Sequence, residues 1–128
     1  MDIKKHITAL GFVPKNGTNG IYHKIYVDYA IEIDFETQSI NYGSAITAES
    51  KTTQNFSQPE NFVVLECVDR LLTKGYKPQN IVLEKTWPSG HGTSGRLDIC
   101  VNREDGTQYM LIECKTFGKE YDKELARI

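Results

Sequence analysis

The chain has 128 residues, three cysteines and a formal charge of −2, with 39% hydrophobic and 25% charged side chains. That length has room for one compact domain around one core, and the composition, ordinary for a globular protein, argues against disorder. No apolar run approaches the ~20 residues that span a bilayer, and no signal-peptide apolar core follows Met1-Asp2-Ile3-Lys4-Lys5. An odd cysteine count without a Cys-x-x-Cys pair argues against a disulfide framework and against zinc. These features predict a cytoplasmic protein with reduced thiols and no membrane partner.

In chain order, Ile3 to Leu10 reads as a short helix closed by Gly11, and Lys15 to Gly20 as a polar turn. Ile21 to Val27 and Ala30 to Phe35 read as strands joined near Asp28-Tyr29, followed by a weaker run at Ser39 to Tyr42: an antiparallel meander. Glu32, Asp34 and Glu36 alternate with Ile31, Ile33 and Phe35, the pattern of a strand with one wet face. Ser44 to Asn55, rich in Thr, Ser and Gln, reads as a surface loop. A helix should start at Ser57, with Glu60 as its capping-box partner and Pro59 in the first turn, and end near Lys74 with Gly75 as its stop. Its apolar stripe is Val64, Cys67, Val68, Leu71 and Leu72. Glu60 lies on that inward side at the helix N-terminus, while Glu66 lies opposite.

Ile81 to Lys85 reads as a strand carrying Glu84, and Pro88 to Gly95 as a glycine-rich loop. Gly90 to Gly95 matches G-x-G-x-x-G, but it precedes a strand instead of opening a helix, so a dinucleotide site is rejected. A hairpin then occupies roughly Arg96 to Thr116, and after Gly118 the spacing of Tyr121, Leu125 and Ile128 starts a last helix. Because this pattern is still helical at Ile128, the sequence reads as a fragment of a longer protein. Residues 1–56 form the N-terminal helix and meander, part of the same compact unit as the core in residues 57–128.

The hairpin carries the chemistry. If Asp105-Gly106 is a two-residue loop, Glu104 faces Thr107 and, counting outward, Asp98 faces Glu113 and Arg96 faces Lys115. Opposed carboxylates have Cβ atoms roughly 4.5–5.5 Å apart and destabilise the pair unless a cation lies between them. Lys115 follows Glu113 by two residues and so shares its face. Two acids and a lysine on one sheet edge point to metal-assisted phosphodiester cleavage.

Asp98 with Glu113-Cys114-Lys115 resembles the catalytic signature of the PD-(D/E)XK nuclease superfamily. Pro59-Glu60, the helix up to Gly75-Tyr76, Arg96-Leu97-Asp98-Ile99 and Leu111 to Lys115 resemble, more narrowly, the N-terminal nuclease domain of type I and related type II restriction-modification proteins. Leu97 stands where the signature has proline. The resemblance implies an α/β, restriction-endonuclease-like fold, with a mixed central sheet flanked by helices behind the N-terminal meander. It implies a Mg²⁺-dependent endonuclease with Asp98, Glu113 and Lys115 catalytic, and with Asp98, Glu113 and Glu60 as metal ligands. Double-stranded DNA and other domains or subunits of a restriction-modification complex are the implied partners. Ser94, Arg96 and Lys119 are candidate DNA phosphate contacts. Phosphate neutralisation dominates DNA affinity, so a chain of charge −2 should bind DNA weakly by itself. The alternative is a non-catalytic module that binds nucleic acid or a partner on the same fold.

Overall fold

The computed structural model describes residues 2–88 and 94–114, with backbone alone at 87–88 and 94–96. The expected helix after Gly118 and the residues Lys115 and Lys119 lie outside the described residues. Helix α1 spans Ile3–Ala9, and Asp2 caps it by accepting the Lys5 N–H at 3.1 Å. Its end is a Schellman turn: Gly11 adopts φ +104, and the N–H groups of Gly11 and Phe12 bond back to Thr8 and Ile7. Glycine takes that conformation without a Cβ penalty.

Strands β1 (Val13–Pro14), β2 (Ile21–Tyr26), β3 (Tyr29–Asp34) and β4 (Ser39–Asn41) form the expected antiparallel meander in sequential order. The β2–β3 loop is Val27-Asp28, one residue earlier than the sequence suggested, because Tyr26 pairs with Tyr29. Ile31 and Ile33 are fully buried, while Glu32 on the other face pairs with Lys15. Tyr29 reaches from the meander into the following segment. Its hydroxyl donates to the Tyr42 carbonyl and accepts the Ala45 and Ile46 N–H groups at 3.3 and 3.2 Å.

The 44–55 segment, expected as a surface loop, contains strand β5 (Thr47–Ala48), which pairs in parallel with Val82 and Leu83. Its Thr, Ser and Gln content concealed a two-residue strand flanked by buried Ile46 and Thr53. Helix α2 spans Glu60–Thr73 and ends, like α1, in a Schellman turn, with Gly75 at φ +100 and Tyr76 N–H bonded to the Leu71 carbonyl. Ser57 does not cap it. Its amide and hydroxyl both bond to the Asn55 side chain, and Pro59 is already in helical geometry.

Strands β6 (Ile81–Pro88), β7 (Ser94–Asn102) and β8 (Gln108–Ile112) complete a second, mixed sheet ordered β5-β6-β7-β8. The glycine-rich segment is shorter than expected, since Pro88 already pairs with Ser94. Helix α2 packs between the sheets and is therefore buried more widely than one stripe. Phe62, Leu65 and Asp69 join Val64, Val68, Leu71 and Leu72 in its buried set. Toward the meander, Asp69 accepts from Lys24 and Tyr26 at 2.6 and 2.5 Å. An edge-to-face chain Tyr22–Phe35–Phe56–Phe62, with centroids 5.2–5.5 Å apart, continues that contact. Toward the second sheet, Cys67 and Leu71 line one cavity with Met110 and Ile112. The architecture is thus mixed α/β, two sheets with helices. Among the described residues no helix is long and apolar enough to cross a membrane.

Candidate active site

The β7–β8 pairing sets Ile99 against Ile112, Cys100 against Leu111 and Val101 against Met110. That is the register the sequence implied, but the ladder ends at Ile99–Ile112, and Glu113 lies just past β8. The register arises differently from the two-residue loop expected. Arg103 pairs with Thr107 around a three-residue loop in which Gly106 takes φ +87, and the register then shifts by one residue between Val101 and Asn102. The two irregularities cancel beyond Tyr109, the extra residue of the bulge.

Asp98 is 9% exposed, and its Oδ2 accepts the Cys114 N–H at 2.7 Å. This bond ties β7 to the segment just past β8. Glu113 is exposed. Glu60, the first residue of α2, is half-buried and lines a cavity of about 150 Å³ together with Asp98, Asn61, Thr52 and Thr53. The helix N-terminus and the buried strand thus bring two carboxylates to one small polar cavity. Glu66 instead pairs with Arg70 along the helix at 3.4 Å and takes no part.

Asn61 holds the cavity wall in place. Its Nδ2 donates to the Thr52 carbonyl at 3.0 Å and to the Asn55 carbonyl at 2.9 Å. Thr52 and Thr53 in turn donate their hydroxyls to Glu84, the latter at 3.5 Å. Glu84 is fully buried and has φ +52, so its backbone sits in the left-handed region. The β6–β7 ladder runs through Leu83–Ile99 and resumes at Lys85–Leu97, skipping the Glu84 position opposite Asp98. Strict strand alternation fails at that point, so Glu84 and Asp98 are buried although Leu83 and Ile99 beside them are buried too. A left-handed non-glycine residue costs about 1–3 kcal/mol and tends to occur at functional sites. Sequence reasoning gave Glu84 little weight. A carboxylate inside the apolar run Ile81-Val82-Leu83 was the available signal.

Cys67 of α2 and Cys114 lie beside this cavity with their sulfurs 3.8 Å apart. The thiol of Cys114 donates to Cys67, which lowers the Cys67 pKa to about 7, while the same bond and burial push Cys114 up. Tyr42 is buried nearby, and burial holds its hydroxyl protonated well above the usual phenol range.

Of the expected site residues, then, Asp98 and Glu60 share one cavity, and exposed Glu113 follows the last β8 residue, Ile112. Ser94 and Arg96 belong to β7, with only their backbone described, and Lys115 and Lys119 lie outside the described residues. Among the described residues no group of three or more His, Cys, Asp or Glu side chains is arranged to hold a metal ion. Two carboxylates at one cavity nevertheless suit Mg²⁺, which commonly takes one or two carboxylates and fills its shell with waters and substrate phosphate. Comparison with family models, with curated proteins and with solved structures gives no match.

Proposed function

We propose that this protein is a Mg²⁺-dependent endodeoxyribonuclease of the PD-(D/E)XK type, with a restriction-endonuclease-like fold, working as the nuclease part of a restriction-modification enzyme. The observation that carries the reading is Asp98: a buried strand carboxylate, held through one oxygen by the Cys114 amide, sharing a cavity with Glu60. Asp98, Glu60 and Glu113 are the residues that would hold the cation. When bound, it polarises the scissile phosphate and acidifies a water. The amide of Cys114 fixes the Asp98 carboxylate before substrate arrives, so little reorganisation is needed at the reacting phosphate. Lys115 supplies positive charge toward the phosphorane, and Ser94, Arg96 and Lys119 are assigned to the DNA backbone. With net charge −2, duplex recognition and sequence specificity fall to other domains or subunits of the enzyme.

A second reading is a module of the same fold that binds nucleic acid or a partner without cutting. The lack of a three-ligand acidic group among the described residues favours it. Supercoiled plasmid incubated with the protein in Mg²⁺ or in EDTA separates the two. Nicking in Mg²⁺ alone supports the nuclease, and DNA retention without nicking supports the binding module.

A further inference from the structure

We propose that Cys67 and Cys114 form a peroxide-sensitive dithiol, a modification site whose oxidation ties helix α2 to the segment just past β8. Their sulfurs are 3.8 Å apart although the residues belong to different elements, 47 positions apart in the chain. Disulfide formation needs an approach to about 2.05 Å, which is a small displacement. The third thiol, Cys100, is buried on β7 and instead contacts Asn102 at 3.5 Å.

The two thiols differ in role. Cys67 is partly exposed and lines a cavity of about 170 Å³ with Arg70, Lys74 and Met110. The cavity gives a hydroperoxide access, and two cations border it. Cys114 is buried and donates its S–H toward Cys67. Cys67 is therefore the attacking sulfur and Cys114 the resolving one. The Cys67 thiolate attacks one peroxide oxygen, the O–O bond breaks, and the departing hydroxide takes up a proton to give water and a Cys67 sulfenic acid. The Cys114 sulfur then attacks the Cys67 sulfur, the S–O bond breaks, and the hydroxide leaves as a second water with the Cys114 proton. The two thiols lose two electrons, and the peroxide gains them.

The consequence follows from the neighbours of Cys114. Its amide holds Asp98, and Glu113 and Lys115 flank it in the chain. Drawing Cys114 toward α2 moves that amide relative to Asp98. A misplacement of about 1 Å at a catalytic group can cost on the order of 10²-fold in rate. This consequence rests on the nuclease reading, whereas the dithiol itself does not.

The test is peptide mapping by mass spectrometry under non-reducing conditions after treatment of the whole protein with hydrogen peroxide. The expected result is an intramolecular Cys67–Cys114 link, formed equally in Cys100→Ser, absent in Cys67→Ser and in Cys114→Ser, and reversed by dithiothreitol. No such link, or links between molecules only, overturns the dithiol. Plasmid nicking by the oxidised form should fall roughly a hundredfold and return on reduction. Unchanged nicking with the link formed overturns the regulatory role. A link formed in a protein that never nicks DNA in either state leaves the dithiol standing and overturns the regulatory role together with the nuclease reading.

Discussion

Replacing Lys24 by methionine should be among the most damaging single changes outside the cavity. Lys24 Nζ lies 2.6 Å from Asp69 Oδ1, with side-chain exposures of 24% and 9%, and it also donates to the Leu10 carbonyl at 2.6 Å. Those bonds join β2 of the meander to α2 and to the end of α1. Removing one member of a buried ion pair costs about 3–5 kcal/mol. The partial exposure of Lys24 reduces this to roughly 2 kcal/mol, and Tyr26 still donates to Asp69 at 2.5 Å. The lost bond to Leu10 adds about 1 kcal/mol. The total near 3 kcal/mol should lower a urea midpoint by about 1.5 M if the slope is near 2 kcal/mol per M. The same reasoning expects Lys24→Met combined with Tyr26→Phe and Asp69→Leu to recover most of the loss, because no buried charge is then left and only the Leu10 carbonyl lacks its partner. Urea unfolding followed by far-ultraviolet circular dichroism measures both. A cost below about 0.5 kcal/mol for the single variant, smaller than a typical buried hydrogen bond, would refute the clamp, as would a triple variant no better than the single.

Val27 adopts φ +53 with its side chain fully exposed, so Val27→Gly should relieve strain of about 1 kcal/mol and raise the melting temperature by several degrees; a lower melting temperature would show that the turn is not strained. Burial, and for Tyr26 also the bond to Asp69, raises the pKa of Tyr26 and Tyr42 above the ordinary value of about 10. Folding therefore keeps protons that the unfolded chain loses, and the stability these phenols contribute below pH ~10 should fall as pH rises beyond it, by about 1.4 kcal/mol per unit for each. Tyr42→Phe should flatten that fall in pH-dependent urea titrations, and an unchanged slope would contradict the assignment. The rate of iodoacetamide labelling at Cys67 should have its midpoint near pH 7 and move upward in Cys114→Ala, whereas a midpoint unaffected by that change would remove the donated hydrogen bond as its cause.

What the sequence revealed and what it hid follow from the range of the interactions. Helix ends were legible because Gly11 and Gly75 supply left-handed conformations locally. The pairing of β7 with β8 was legible because Asp105-Gly106 marks the turn and both flanks are apolar, although a three-residue loop and a compensating bulge produce the register. The cap at Ser57 failed because Asn55 competes for the same groups. Strand β5 was hidden because its two residues gain strand geometry only from β6, and Glu84 was hidden because its burial depends on Thr52 and Thr53, more than thirty positions away. Asp69 gave no signal as a buried residue, since its partners lie on the meander. The approach of Cys67 to Cys114 depends in the same way on how α2 packs against the second sheet.

The most direct measurement of the central claim is plasmid nicking in Mg²⁺ by the wild-type protein and by Asp98→Asn, with folding of both checked by circular dichroism. Asparagine retains an oxygen able to accept the Cys114 amide at the position where Asp98 now does so, but removes the charge that would hold the cation. The account predicts nicking by the wild type, its loss in EDTA, and at least about a 10²-fold drop in the folded variant, the scale expected when one group of a catalytic unit is removed. A folded Asp98→Asn protein that nicks DNA at the wild-type rate would contradict it.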